Sequence, residues 1–293
     1  MNFKTHCHGK WILAGEHAVL RGAPAILFPL SCCQLNLEYL ASNTPWQIQL
    51  SGNLNETHLP LIQQVLQHAF ELSKKTPPSR GTLCIENHIP TGSGLGASAA
   101  LCTAIAKWFM HATWILENNL LEFGRQLENL FHGESSGADI AVSALNQSIY
   151  FIRHETPHPF TFTWQPHWYL SYCGEQSTTS DCLKQVDLLW KKNPDQAQLT
   201  DTLMKDSVLL AKHALGLNSK SGIFILKEAI EQSYQAFRQW DLITPKLMQH
   251  MDTLIKAGAL AVKPTGSGKG GFVLSLWTQD AKPSFETRDY YEL

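Results

Sequence analysis

Apolar residues in the first third of the chain fall in short runs or alternate with polar ones, and glycines and prolines separate the runs. On this pattern residues 11–13, 25–28, 35–39 and 46–50 read as strands, the last closed by Ser51-Gly52-Asn53. Leu61, Ile62, Val65, Leu66 and Phe70 recur at helical spacing, which predicts a helix over 61–72. A strand at 82–85 then leads into a glycine-rich turn. Helices follow over 98–113, 118–131 and 138–145, and then a strand at 148–152. His154–His158, followed by Pro159, reads as a linker. Beyond it the pattern predicts strands at 160–164 and 168–173, helices at 183–191, 198–215, 222–239 and 244–257, and a closing strand at 272–277. Residues 282–293 carry little periodicity and read as partly disordered. Strands and helices mix without strict alternation and without an internal repeat, so the expected class is α+β.

Bulk properties exclude more than they choose. A chain of 293 residues has material for one large or two medium domains. A formal net charge of −2 speaks against a nucleic-acid or membrane-surface binder. No apolar run approaches the roughly 18 residues that span a bilayer. Glu16 and His17 interrupt the run 11–14, so no secretory signal is expected. Seven cysteines without a CxxC pair read as reduced thiols, and the expected location is cytoplasmic.

The candidate chemistry starts at Pro90-Thr91-Gly92-Ser93-Gly94-Leu95-Gly96-Ala97-Ser98-Ala99-Ala100. Gly92, Gly94 and Gly96 remove side chains where a turn must bare its backbone N–H groups. The helix behind them aims its unpaired N–H groups and positive dipole end at the same point, which makes an anion site, with phosphate the expected anion. A second cluster, Gly266-Ser267-Gly268-Lys269-Gly270-Gly271, lies near the end of the chain. Both clusters imitate the dinucleotide pattern, but that site needs strand, glycines, helix and a second strand ending in an acid. Here a helix follows the helix after Gly96, and a strand follows Gly271. A P-loop needs glycine where Lys263 stands and Ser or Thr where Gly270 stands. Taken singly, either cluster could also be a plain turn.

Three stretches in order resemble the three motifs of the GHMP small-molecule kinases: Gly9-Lys10-Trp11-Ile12-Leu13-Ala14-Gly15-Glu16-His17-Ala18-Val19-Leu20-Arg21-Gly22, then Pro90–Ala100, then Lys263-Pro264-Thr265-Gly266-Ser267-Gly268. His132-Gly133-Glu134-Ser135-Ser136-Gly137-Ala138-Asp139-Ile140-Ala141-Val142-Ser143 looks like the segment that carries the catalytic aspartate in the family's mevalonate kinase branch. The four matches spread over nearly the whole chain. The resemblance implies two lobes: an N-terminal ATP-binding domain over 1–157 like domain 2 of ribosomal protein S5, and a ferredoxin-like C-terminal domain over 158–293. It further implies ATP-dependent phosphorylation of the primary hydroxyl of mevalonate, in isoprenoid precursor synthesis. ATP and Mg2+ are the implied cofactors and a small molecule the implied substrate. No nucleic-acid or membrane partner is implied, and a homodimer is left open.

The resemblance also distributes roles. Asp139 matches the aspartate that accepts the substrate hydroxyl proton, and Lys10 the lysine that pairs with it, a pairing that lowers the carboxyl pKa. Pro90, Gly92, Ser93, Gly94, Leu95, Gly96, Ala97, Ser98 and Ala99 fall on the phosphates of ATP, and Ser98 and Glu128 on the metal. Glu16, His17, Thr178, Gly266 and Ser267 fall on the acceptor. Each has a plainer reading: an exposed carboxylate for Glu128, an N-cap for Ser98, a structural histidine for His17. The sequence departs from the family at Ala97, which replaces the first of two serines, and at Lys269, which interrupts the third motif's glycines. For Lys269 a phosphate contact and a solvent-facing side chain are both open. Ile140 stands where asparagine is common, Thr179 where a basic residue is common, and Cys7-His8 where a small residue and proline are common. His6, Cys7 and His8 crowd together but have no second ligand cluster at zinc-like spacing. A phosphomevalonate kinase is the neighbouring reading, though basic residues are sparse near Glu16 and Thr178. A non-catalytic metabolite-binding protein of the same fold is the other alternative, and the complete set Lys10, Ser98, Glu128 and Asp139 speaks against it.

Overall fold

Two long strands open the chain, β1 (Phe3–Ala14) and β2 (Ala25–Pro45). The second absorbs both segments that the hydropathy pattern separates at Pro29. The computed structural model describes residues 2–281 and 290–293, and by chain packing it divides into two units. One comprises Met1–Lys10, Pro29–Thr91 and Leu95–Gln147; the other comprises Trp11–Phe28, Gly92–Gly94 and Ser148–Leu293.

In the first unit, Leu35–Leu40 of β2 runs antiparallel to β4 (Arg80–Asn87), and β4 runs parallel to β3 (Gln47–Gly52). A parallel neighbour needs a crossover, and α1 (Leu59–Ser73) supplies it, burying Ile62, Val65, Leu66, Ala69 and Phe70 on one face. Then come α2 (Ala97–His111), α3 (Leu120–His132) and α4 (Ala138–Leu145). Helix α2 is buried over Ala99–Ala106, where alanines and Cys102 let neighbours approach closely. Gly124 does the same for α3, since a Cβ there would lie 2.9 Å from Ile140 of α4.

In the second unit, Ala25–Leu27 of β2 pairs with β5 (Ile149–Phe151), and β5 pairs with β6 (His158–Pro159). His154–His158, the expected linker, therefore lies in the turn and start of a hairpin, with His154 at φ 70°. A separate antiparallel sheet has the order β10 (Tyr290–Glu292), β7 (His167–Tyr172), β9 (Phe272–Trp277), β8 (Ala261–Thr265). Its helices are α5 (Thr179–Lys192), α6 (Pro194–Leu215), α7 (Ser219–Gln239) and α8 (Pro245–Lys256). Their starts are set chemically. Thr178, Asn193, Asn218 and Thr244 each accept a first-turn N–H on the side chain, and prolines open α6 and α8.

The fold is α+β, with two sheets among the described residues. The expected strand at 160–164 is not formed. The alternation there is real, but Phe160 and Phe162 pack on Phe28, while Thr163 and Trp164 hydrogen-bond to Leu215 and Ala214 carbonyls at the end of α6. Phe160 still gives its N–H to the Ser148 carbonyl beside β5, but Thr163 and Trp164 donate to carbonyls at the end of α6 instead of to a ladder. Of the terminal segment 282–293, residues 282–289 lie outside the described residues and Tyr290–Glu292 forms β10 against β7. All seven cysteines are free thiols. Among the described residues no helix is long and apolar enough to cross a membrane.

Candidate active site

In the first unit, the end of β1 is laid against the glycine loop. The Lys10 N–H donates to the Leu95 carbonyl at 2.9 Å, and the Lys10 side chain passes directly over Gly96. A Cβ at Gly96 would sit 2.7 Å from Lys10 Cγ, and Gly96 has a φ of +81°, so only glycine serves both demands. Gly96 is also the N-cap of α2 and no side chain caps this helix, which leaves first-turn N–H groups of Ala97, Ser98 and Ala99 facing the loop. Pro90 precedes the loop, where Ile89 is fixed by two bonds from Asn87.

The buried Lys10 ammonium lies 2.9 Å from Asp139, whose side chain is 27% exposed. Asp139 sits in the first turn of α4 behind Gly137, again a helix without a side-chain cap. Glu128 of α3 lies deeper. Its Oε2 accepts the Ser135 hydroxyl at 2.5 Å, and Oε1 has no hydrogen-bond partner. Burial, then the Asp139 charge, push the Glu128 carboxyl up to about 8, against opposing help from Ser135 and Lys10. The same burial raises the Cys102 thiol, with the Glu128 charge adding to it. Cys102 lies one turn beyond Ser98 on α2, so Ser98 belongs to the helix face turned toward Glu128.

A buried carboxylate oxygen without a partner, close enough to a second carboxylate to feel its charge, fits a hard divalent cation. Mg2+ takes few protein ligands and leaves the rest to water and phosphate. Glu128 and Ser98 would hold it. Without the ion, Glu128 is a stability burden that grows with pH. An unfolded chain releases this proton near the ordinary glutamate value, whereas the folded chain keeps it to about 8, so stability falls as pH rises through that window. In metal-free buffer Glu128→Gln is therefore expected to match the parent in Tm below about pH 4.5. Its Tm should exceed the parent's by several degrees at pH 8. A constant Tm difference across that range would show that Glu128 titrates normally.

In the second unit, the two glycine clusters meet each other. A Cβ on Gly266 would touch Gly94 Cα at 3.4 Å, and one on Gly271 would lie 2.8 Å from the Ser93 carbonyl. Gly92 lies beside Gln176. Glu16 is buried and paired with Lys263, itself fully buried, which also donates to the Ile12 carbonyl at 3.3 Å. Thr265 ties the same stretch, accepting from the Ile12 N–H at 2.9 Å and donating to its carbonyl at 3.0 Å. His17 Nε2 donates to the Ser267 carbonyl at 2.8 Å, which leaves Nδ1 as a buried acceptor without a partner. Burial beside Phe237 and Trp240 drives His17 down to about 4, so the ring is neutral. Thr178 is exposed and uses its hydroxyl as the N-cap of α5, where it also donates to Asp181 at 2.6 Å.

Lys10, Ser98, Glu128 and Asp139 thus fall in one unit, and Glu16, His17, Gly266 and Ser267 fall in the other. Sequence reasoning missed Lys263, Thr265 and Ser135. Lys263 carried a signal: a lysine flanked by Val262 and Pro264 in an apolar run is out of place unless a buried anion awaits it.

Comparison with known proteins adds the family and the fold. Residues 60–147 match the family profile described as GHMP kinases N terminal domain. The mevalonate kinase of Pyrococcus abyssi (strain GE5 / Orsay) is 26% identical over 291 residues, covering 91% of this chain and 86% of that protein. Two solved structures share the fold. The L. major mevalonate kinase in complex with R-mevalonate has a TM-score of 0.79 at 22% identity and covers 99% of this chain and 94% of its own. The Streptococcus pneumoniae phosphomevalonate kinase in complex with phosphomevalonate and AMPPNP has a TM-score of 0.77 at 17% identity, covering 99% and 100%.

Proposed function

We propose that this chain, which belongs to the GHMP kinase family, transfers the γ-phosphoryl group of ATP to the primary hydroxyl of mevalonate, giving 5-phosphomevalonate and ADP. The observation that carries the chemistry is the Lys10–Asp139 pair at 2.9 Å beside the buried Glu128 carboxylate. The acceptor rests on the curated relatives, which bear the name mevalonate kinase over nine-tenths of this chain. The cytoplasm is the proposed location.

In this reading Asp139 accepts the hydroxyl proton as the oxygen attacks the γ-phosphorus, and the bond to ADP breaks. Lys10 pairs with Asp139 and supplies positive charge near the attacking oxygen. The N–H groups opening α2, together with Gly92, Ser93, Gly94, Leu95 and Gly96, hold the phosphates. Ser98 and Glu128 would hold Mg2+, which when bound would neutralise phosphate charge. Glu16, His17, Thr178, Gly266 and Ser267 form the acceptor side, where His17 offers an acceptor nitrogen and no charge.

A phosphomevalonate kinase is the second reading, favoured by the fold match to such an enzyme. A coupled assay of ADP release with mevalonate, phosphomevalonate, homoserine and galactose separates the two. Turnover highest with mevalonate is expected. Turnover with phosphomevalonate and none with mevalonate would replace the first reading by the second.

A further inference from the structure

Lys269 stands in a left-handed backbone position between two glycines. Gly266, Gly268, Gly270 and Gly271 all have positive φ, and Lys269 shares that conformation at +56°. L side chains rarely adopt it, and glycine would adopt it freely. The backbone cannot relax around it. The Lys269 N–H donates to the Leu242 carbonyl at 2.8 Å, a Cβ on Gly268 would lie 2.9 Å from Leu242 Cβ, and one on Gly270 would lie 2.6 Å from the Glu175 carbonyl. A lysine held where the fold favours glycine calls for a use of its side chain.

That side chain is partly buried, and among the described residues no hydrogen bond or ion pair engages its ammonium. Its surroundings are known through their charges. Asp181 is held low first by the Thr178 hydroxyl and then by Lys184 at 3.2 Å, with the Lys269 charge acting on it only at a distance. Cys182, which hydrogen-bonds to the Gly268 carbonyl, feels the same charge and lies against Ser267 and Ser177. Lys269 is therefore an uncommitted cation among Ser177, Thr178, Ser267 and the start of α5. Ser267 is the residue whose carbonyl fixes His17.

We infer that Lys269 is a specificity-determining residue that binds an anionic group of the acceptor, a carboxylate or a phosphate. The inference rests on the reading above that Thr178, His17 and Ser267 face the acceptor. It adds an uncommitted positive charge where Lys263 is already paired with Glu16 and Lys184 with Asp181. Asp181 does not cancel this charge, because Thr178 and Lys184 already satisfy that carboxylate directly.

The test is Lys269→Gly, with Lys269→Arg as the charge-keeping control. Glycine relieves the backbone, so Tm should hold or rise, which a purely structural lysine would not allow. KM for a carboxylate-bearing acceptor should rise at least about tenfold, the fold-change carried by one charge-assisted contact. KM for ATP should stay unchanged, as should turnover of 3-methylpentane-1,3,5-triol, an uncharged acceptor. Arginine should restore most of the acceptor affinity. If wild type uses mevalonate and Lys269→Gly leaves its KM unchanged, or if Tm falls in step with activity, this inference fails and the kinase reading stands. If wild type uses phosphomevalonate alone and Lys269→Gly weakens it, the mevalonate reading fails and this inference stands. Turnover of galactose alone, or of no acceptor, overturns both.

Discussion

Asp139→Asn is expected to fold, to bind ATP with little change in affinity, and to lose about 10²–10⁴ in kcat, the range that a positioned proton acceptor contributes. The amide keeps the shape of the carboxylate but can neither take the hydroxyl proton nor balance the Lys10 charge. Lys10 is buried, so the substitution strands a cation, and the neighbouring carboxylate responds. Glu128 is held protonated partly by the Asp139 charge and drawn toward ionisation by Lys10. Removing Asp139 lifts the first influence and leaves the second, so Glu128 becomes the counterion of Lys10. The variant should therefore show a second signature: the decline of Tm with rising pH that Glu128 imposes becomes narrower and shifts to lower pH. Near-normal turnover would remove Asp139 from the mechanism. Lost turnover with an unshifted Tm profile would show that the two carboxylates do not communicate.

Lys263→Met is expected to cost about 3–5 kcal/mol of folding stability, the usual penalty for leaving one member of a buried ion pair uncompensated. Lys263 is 0% exposed and the Glu16 side chain 2%. Methionine fills similar volume and adds no charge, so the loss is that of a carboxylate sealed away from water with its cation removed. Domains of this kind have about 5–15 kcal/mol in total, so the single variant stands near the edge of folding at 37 °C. The double variant Lys263→Met/Glu16→Gln should recover most of the loss, because it removes the unpaired charge as well. Urea denaturation at pH 7 measures both. A single-variant loss below about 1 kcal/mol, the scale of an exposed pair, would mean that water reaches Glu16.

These two effects differ in how legible they are in the sequence. The Asp139 placement follows from local signals. Gly137 before Ala138 marks a helix start, and the structure begins α4 at Ala138 behind an uncapped Gly137. The glycine loop is legible in the same way, since a turn before an apolar small-residue helix fixes both the bare N–H groups and the start of α2. The Glu16–Lys263 pair is not legible locally. Its members lie at opposite ends of the chain, and Lys263 with Pro264 breaks the apolar run that would mark β8. Pro264 is tolerated there because, among the described residues, β8 is an edge strand paired with β9 alone. The segment 160–164 shows the converse. Its alternation of Phe160, Phe162 and Trp164 is a true burial signal, but periodicity reports which side chains go inside and says nothing of which carbonyls take the N–H groups. Glu128 is legible through the family resemblance, whereas its burial and its link to Ser135 depend on how α3 and α4 pack, which no single helix encodes.

The central claim is phosphoryl transfer to a primary alcohol, and it is tested most directly by following the mevalonate reaction with ATP and Mg2+ by phosphorus NMR. The account predicts ADP and, in equal amount, one new phosphate monoester coupled to the methylene protons at carbon 5. ADP accompanied only by inorganic phosphate, or a monoester on the tertiary hydroxyl, would contradict it.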